Sequence, residues 1–473
     1  MQTSRPHLFA LLPLIFCLSI SALAQSAPAP AAPAANLEQQ LDHIVPKVLA
    51  DTGVPSASIA IVQDGRIVLL KAYGDAKLNP PTPAKPTMRY GIGSISKQFT
   101  AAAIMMLVQD GKLSLDDHVG KYLPDLTRAN EVTVRELLSH TAGYQDDFPQ
   151  DYLPAPMKSP TTAQYIMDTW AKKPLDFGPG TRWQYSNTGF TIAGAILEKV
   201  SGMKLIDFLD KNIFKPLDMK SAVIIDADHP SNLDVEGYYR HALGPARPAP
   251  LEAPGWLAAA GELMMTAEDL AKWDISVMNE SLLKPSSYKT METENLLRNG
   301  LGTRYGLGMQ IVSLGTHREL EHGGEIIGFV SDNIVLPDDK ASVSVLTNMD
   351  ASSAASSIAR QVAQILVRKP DPNGNDAEAR ARKVFEGLQH GQIDRSQFTS
   401  DANGYFDQQA LQDFANSLGP LGEITSFTAN PPRQRGGMTA RTFIVGFKDK
   451  SVEISTYETK DGKYEQFLVL PVA

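Results

Sequence analysis

Strand-like patterns in this chain fall in two places far apart, and helical patterns fill the space between them. Residues 56–62 read as a strand, Asp64-Gly65 supplies a hairpin turn, and 66–73 returns. From about residue 83 to 301 strand signals are scarce. Apolar residues there recur at helical spacing over 97–110, 133–139, 162–171, 188–200, 205–213 and 267–278. Strands resume over 307–312, 318–322, 329–336 and 341–347, with Pro337-Asp338-Asp339-Lys340 as the last turn. Residues 37–49 and 354–367 carry helical periodicity. The expected fold is mixed α/β (α+β): the early hairpin joins the late meander as one antiparallel sheet, with helices on its faces and a helical lobe inserted between.

The ends of the chain read differently. Arg5 is the one charged side chain in the first 24 residues; an apolar run broken by Pro13 and the small-residue pattern Ala22-Leu23-Ala24 follow. This is the form of a cleaved signal peptide, 1–24, and it implies export to a periplasm or beyond, with no membrane span left after cleavage. Phe16 before Cys17 is too bulky for a lipoprotein signal. Cys17 is the sole cysteine, so the mature chain would carry no disulfide, thiol nucleophile or cysteine metal site. Residues 25–36, mostly Ala and Pro, read as an extended linker to a catalytic unit at 37–368. Lys369-Pro370-Asp371-Pro372-Asn373-Gly374 reads as a boundary. Beyond it, 375–473 reads as a small α+β module: helices over 377–389 and 408–417, then strands over 441–447, 451–457 and 464–470. Without Arg5 the chain has 43 basic against 53 acidic residues, a net charge of -10, with no basic run, which excludes a nucleic-acid footprint. No motif encodes an oligomeric state.

Three short motifs carry chemistry. Ser94-Ile95-Ser96-Lys97 follows Gly91-Ile92-Gly93 and precedes the apolar run 99–108. Residues three apart share a helix face, so the Lys97 amine can meet the Ser94 hydroxyl. A serine becomes a nucleophile when a base takes its proton, and a lysine can do so if its pKa is brought down from about 10.4. Ordinary N-capping by Ser94 is the alternative. Further copies, Ser201–Lys204, Ser281–Lys284 and Ser286–Lys289, lack the glycine-rich lead-in and the long apolar helix. Tyr185-Ser186-Asn187 is the only Tyr-x-Asn in the chain. Tyr185 could relay a proton once cations lower its pKa from about 10. Asn187 could donate to a substrate carbonyl and brace Lys97, or it could simply cap the next helix. His322-Gly323-Gly324 closes the strand at 318–322, where the two glycines allow close approach of a substrate. The next backbone N–H, on Glu325, could share an oxyanion with that of Ser94.

Together and in this order, the motifs resemble those of the penicillin-recognising serine hydrolases, in particular the class C β-lactamase-like family of β-lactamases, D,D-peptidases, D-aminopeptidases and esterases. The resemblance spans about 37–367 and includes Leu137-Leu138-Ser139-His140-Thr141-Ala142-Gly143, where His140 reads as structural. It implies Ser94 as the acyl-forming nucleophile and Lys97 with Tyr185 as the proton-transfer pair. Asn187, His322, Gly323 and Gly324 are implied to bind a small-molecule or peptide substrate, and the Ser94 and Glu325 amides to form the oxyanion hole. It implies no metal and no cofactor.

The departures concern substrate. His322 replaces the family's alternative lysine and is mostly neutral at pH 7, and Gly323 lacks a threonine hydroxyl for a β-lactam carboxylate. Cephalosporins are therefore disfavoured against D-amino-acid peptides, amides or small esters. Glu321 and Glu325 flank the motif and would suit an amine. A β-lactamase or D,D-carboxypeptidase is one alternative, and a non-catalytic binding scaffold is another. A lipase is disfavoured, since no Gly-x-Ser-x-Gly elbow is present.

Overall fold

The computed structural model describes residues 32–225, 233–367 and 374–472. The expected leader and residues 369–373 of the expected boundary lie outside them, and Gly374 already begins a helix. Helix α1, Ala32–Thr52, starts five residues before the expected 37, so residues 32–36 of the Ala/Pro stretch are helical rather than extended. Alanine is the strongest helix former, and a proline in the first turn costs no internal hydrogen bond.

The two separated strand regions form one antiparallel sheet. The hairpin is β1, Ser56–Gln63, and β2, Arg66–Leu78, extended by the short β3, Pro81–Pro83. The meander is β4, Gln310–Leu314; β5, His317–Ile326; β6, Phe329–Leu336; and β7, Ala341–Thr347. Their order is β3-β2-β1-β7-β6-β5-β4, and β1 meets β7 in a register running from Ala57↔Thr347 to Val62↔Ser342. All of β1 except Gln63 is buried, because both of its faces are covered. One face packs on α1 and on α5, Ala354–Leu366; the other faces the inserted lobe.

Within the lobe, helix α2, Ser96–Gln109, has eleven of its fourteen residues buried, so it runs through the core rather than along its surface. Helices α3, Asn187–Ser201, and α4, Ala267–Met278, pack around it. The stretches expected as helices at 162–171 and 205–213 begin as α-helices and end as π-turns at Met167–Ala171 and Asp210–Phe214. The lobe also holds a three-stranded sheet of Tyr90–Gly91, Val223–Ile224 and Leu263–Met265, pieces too short to leave an alternating pattern.

Two meander boundaries move. The strand expected at 307–312 is Gln310–Leu314, and the one expected to close at His322 runs on to Ile326. Glycines weaken a strand pattern, yet the ladder to β6 continues through Gly323↔Asp332 and Gly324↔Ser331. Since β4 pairs only with residues 317–321 of β5, the segment from His322 onward is an unpaired sheet edge.

After residue 374 come helices Gly374–Gln389 and Gln408–Leu418 and a sheet that adds Ser426–Ala429 and Arg433–Arg435 to the three expected strands. Phe385, Phe398, Phe443 and Phe467 belong to an apolar cluster formed from this part of the chain alone. No helix among the described residues is long and apolar enough to cross a membrane.

Candidate active site

Ser94 lies in a 3-10 turn, Gly93–Ile95, that leads into α2. This turn rests on the free edge of β5. Gly93 has φ +51°, and a Cβ there would come within 2.5 Å of the Glu325 amide nitrogen. A Cβ on Gly324 would lie 1.8 Å from the Ile92 carbonyl oxygen. The two glycines are thus what allows strand and turn to touch. Neither the turn nor α2 is capped by a side chain, so Ser94 is not an N-cap.

The Ser94 hydroxyl instead meets Lys97. The Lys97 side chain is fully buried, and its Nζ lies 2.8 Å from Ser94 Oγ, 2.8 Å from Asn187 Oδ1 and 2.7 Å from the Ala260 carbonyl oxygen. Burial brings its pKa down to about 7, against the opposing pull of Asp146 and Asp147. A neutral amine has two N–H donors and one lone pair. Asn187 Oδ1 and the carbonyl can only accept, so they use both donors and leave the lone pair to the Ser94 hydroxyl.

Asn187 is free for this because its neighbour caps the helix: Ser186 Oγ accepts the Gly189 N–H at 3.3 Å. The backbone N–H of Asn187 is held by Asp146 Oδ1 at 2.8 Å. Tyr185 lines the cleft with Ser94, and Lys97 Nζ lies 4.9 Å from its ring centre. The expectation that cations lower the Tyr185 pKa is corrected: burial dominates and holds this phenol above its usual range. The group tuned toward neutrality is Lys97.

His140, expected as structural, supports this tyrosine. It sits at φ +58° just past the helix Val134–Leu138, its Nδ1 accepts the Ser186 N–H at 3.2 Å, and its ring lies 4.2 Å from that of Tyr185. Burial holds its pKa well below the usual imidazole range, so it packs as a neutral ring.

On the strand side, His322 is buried with both ring nitrogens engaged, Nδ1 at 2.6 Å from the Gly323 carbonyl oxygen and Nε2 at 2.8 Å from the Tyr305 hydroxyl. The carbonyl only accepts, so Nδ1 carries the proton and Nε2 accepts from Tyr305. Burial, helped by Lys97, takes the His322 pKa down to about 4. The two flanking glutamates do not both face a substrate. Glu321 is held by an ion pair with Arg360 of α5 at 2.9 Å. Glu325 reaches the cleft mouth, with Oε1 accepting the Ala351 N–H at 2.7 Å.

These residues surround a cleft of about 630 Å³; every expected site residue lines it except Lys97, which lies beneath Ser94. Sequence motifs missed much of its wall. Asp146, Asp147, Asp151 and Asp332 add carboxylates to the expected one of Glu325, and among the described residues no lysine or arginine lines it. Asp147 is pushed up to about 7 by burial and by Asp146 beside it, and it accepts the Thr188 hydroxyl at 2.9 Å. The Asp146-Asp147 pair stands three residues after the 137–143 segment, a nearness that was the only signal for it.

The Beta-lactamase family matches residues 36–367 of this chain. Protein flp of Staphylococcus aureus (strain MW2) is 27% identical over 325 residues, covering 66% of this chain and 64% of that protein. A D-aminopeptidase of Brucella anthropi is 28% identical over 320 residues, covering 67% of this chain and 60% of the enzyme. The chain therefore spans under two thirds of the length of these curated relatives. Among solved structures, an octameric penicillin-binding protein homologue from Pyrococcus abyssi aligns with a TM-score of 0.63 at 24% identity, covering 92% of this chain and 96% of that one.

Proposed function

The chain belongs to the beta-lactamase family of serine hydrolases, and we propose that it cleaves an amide or ester bond through an acyl-enzyme on Ser94, acting on D-amino-acid peptides or amides or on small esters. The observation that carries this reading is the buried Lys97 amine, 2.8 Å from the Ser94 hydroxyl and held on its other sides by two groups that can only accept.

In the proposed mechanism Ser94 Oγ attacks the substrate carbonyl carbon while its proton passes to Lys97 Nζ. The carbonyl electron pair moves onto oxygen, held by the backbone N–H groups of Ser94 and Glu325. Asn187 braces Lys97 and offers its amide to the substrate. When the tetrahedral centre collapses, the bond to the leaving group breaks, and the hydroxyl of Tyr185 hands that group a proton that Lys97 replenishes. Tyr185 stays a phenol between transfers, in keeping with its raised pKa. Water then attacks the ester on Ser94, gives up its proton along the same path in reverse, and restores the serine.

The relatives support the substrate classes, since one is named a D-aminopeptidase. An acidic cleft wall with no lysine or arginine among the described residues disfavours a substrate carboxylate, and with it β-lactams and D,D-carboxypeptidase substrates. We further propose that residues 1–24 direct export and are removed near Ala24, that 37–368 is the catalytic unit, and that 375–473 is an accessory module.

The test is a purified-enzyme panel of nitrocefin, p-nitrophenyl acetate and D-alanine p-nitroanilide, run beside Ser94→Ala. The expected result is turnover of the anilide or the ester, abolished by the substitution, with nitrocefin poorly cleaved. Turnover that survives Ser94→Ala overturns the reading. No turnover and no labelling of Ser94 favours the binding scaffold.

A further inference from the structure

The cleft passes over the free edge of β5 at Gly323 and reaches the sheet face that carries α5, where Val330, Asp332 and Ser356 line it. Asp332 is the cross-strand partner of Gly323, and paired residues share a face. A side chain at 323 would stand between Asp332 and the cleft. With glycine, a Cβ there would meet only one backbone oxygen, at 3.8 Å, so the way is open.

Asp332 is only 4% exposed, and its Oδ1 is buried without any hydrogen-bond partner. Its charged neighbours leave it uncompensated. Arg360 is bound to both oxygens of Glu319 at 2.7 Å and to Glu321 at 2.9 Å. Three carboxylates thus share one guanidinium, and burial with repulsion from Glu321 and Glu319 holds the Asp332 carboxyl well above its usual range. A buried, unpaired carboxyl is held toward its neutral form, and a cation arriving beside it would draw it into the ionised form.

We infer that Asp332, reached over Gly323, is a subsite for a protonated amine of the substrate. This rests on the hydrolase reading and names its substrate class: amino-acyl compounds with a free ammonium, either on the acyl residue itself or one residue further out. In a substrate lying along the β5 edge, successive groups point to opposite faces. A group next to the reacting one therefore turns away from Ser94 and toward Asp332.

The experiment compares three p-nitroanilides on wild type, Asp332→Asn and Gly323→Val: D-alanine p-nitroanilide, glycyl-D-alanine p-nitroanilide and the uncharged N-acetyl-D-alanine p-nitroanilide. Removing one partner of a desolvated charge pair typically costs on the order of 30-fold or more. In Asp332→Asn, kcat/KM for one ammonium substrate should fall on the order of 30-fold further than for the acetylated one, mainly through KM. The substrate that shows the effect identifies which ammonium binds. Gly323→Val, which retains Asp332 but blocks the way to it, should shift the ratio in the same direction. Equal losses on all three substrates, or an unchanged ratio, overturn the subsite and leave the hydrolase reading standing. So does a wild type that cleaves none of the three while p-nitrophenyl acetate still acylates Ser94. Failure to acylate Ser94 with any compound overturns the hydrolase reading itself.

Discussion

The two sides of the cleft solve different problems. The helical side, with Ser94, Lys97 and Asn187, is tied together by hydrogen bonds of 2.8 Å around one buried amine. Its residues are held by each other and by backbone, so little is left for a substrate to decide. The strand side, His322 to Glu325, offers a histidine whose nitrogens are both occupied, two glycines and an unpaired edge. It contributes space, backbone and, beyond Gly323, a buried carboxyl with an unpartnered oxygen. On the proposed reading, reactivity is concentrated on one side and selectivity on the other.

The comparison predicts a ranking. Lys97→Met should lower kcat/KM by about 10⁴-fold, the upper range for loss of a general base, with the protein still folded. It should also raise stability at neutral pH. The folded-state pKa of about 7 lies below the unfolded value of about 10.4, so the unfolded chain binds more protons across that window, and native stability declines as pH falls from about 10 toward 7. Denaturation of Lys97→Met across this range should show a flatter pH dependence than wild type; an unchanged slope would place the depressed amine elsewhere.

Asn187→Ala takes away one of the two acceptors that orient the neutral amine, and should cost on the order of 100-fold in kcat with a modest change in KM. If KM alone rises, Asn187 serves binding and not the amine. The pH profile of kcat/KM should show an acid limb near 7, tenfold per unit below it, as Lys97 takes up a proton. His322, down at about 4, adds no limb between pH 5 and 9, and Tyr185, held above the usual phenol range, gives no alkaline fall below about 10. A limb near 6.5 that disappears in His322→Gln would assign the titration to the strand side. The smallest effect belongs to Tyr305→Phe. It removes one hydrogen bond to His322 and should change kcat/KM by less than about tenfold, the worth of one neutral hydrogen bond.

How much of this the sequence disclosed follows the same division. Ser94 and Lys97 are three residues apart on one helix, so local geometry alone predicts that they meet. Tyr185 and Asn187 share a short motif beside a helix start. The sheet was legible because β1 and the meander carry long, regular patterns. On the strand side the motif was legible but its properties were not, because they arise from partners distant in the chain. Tyr305 consumes a His322 nitrogen from across a loop, Arg360 of a distant helix holds Glu321, and Asp332 joins the cleft wall from the neighbouring strand. The direction of the Tyr185 shift was equally hidden, since it depends on burial by His140 and its neighbours rather than on any motif.

The most direct test of the central claim is mass analysis of the protein quenched during turnover of p-nitrophenyl acetate, followed by peptide mapping. The account predicts one acetyl group on the peptide containing Ser94, accumulating at a rate that falls below pH 7, and absent in Ser94→Ala. An acetyl group on any other residue, or hydrolysis that proceeds undiminished in Ser94→Ala, would contradict it.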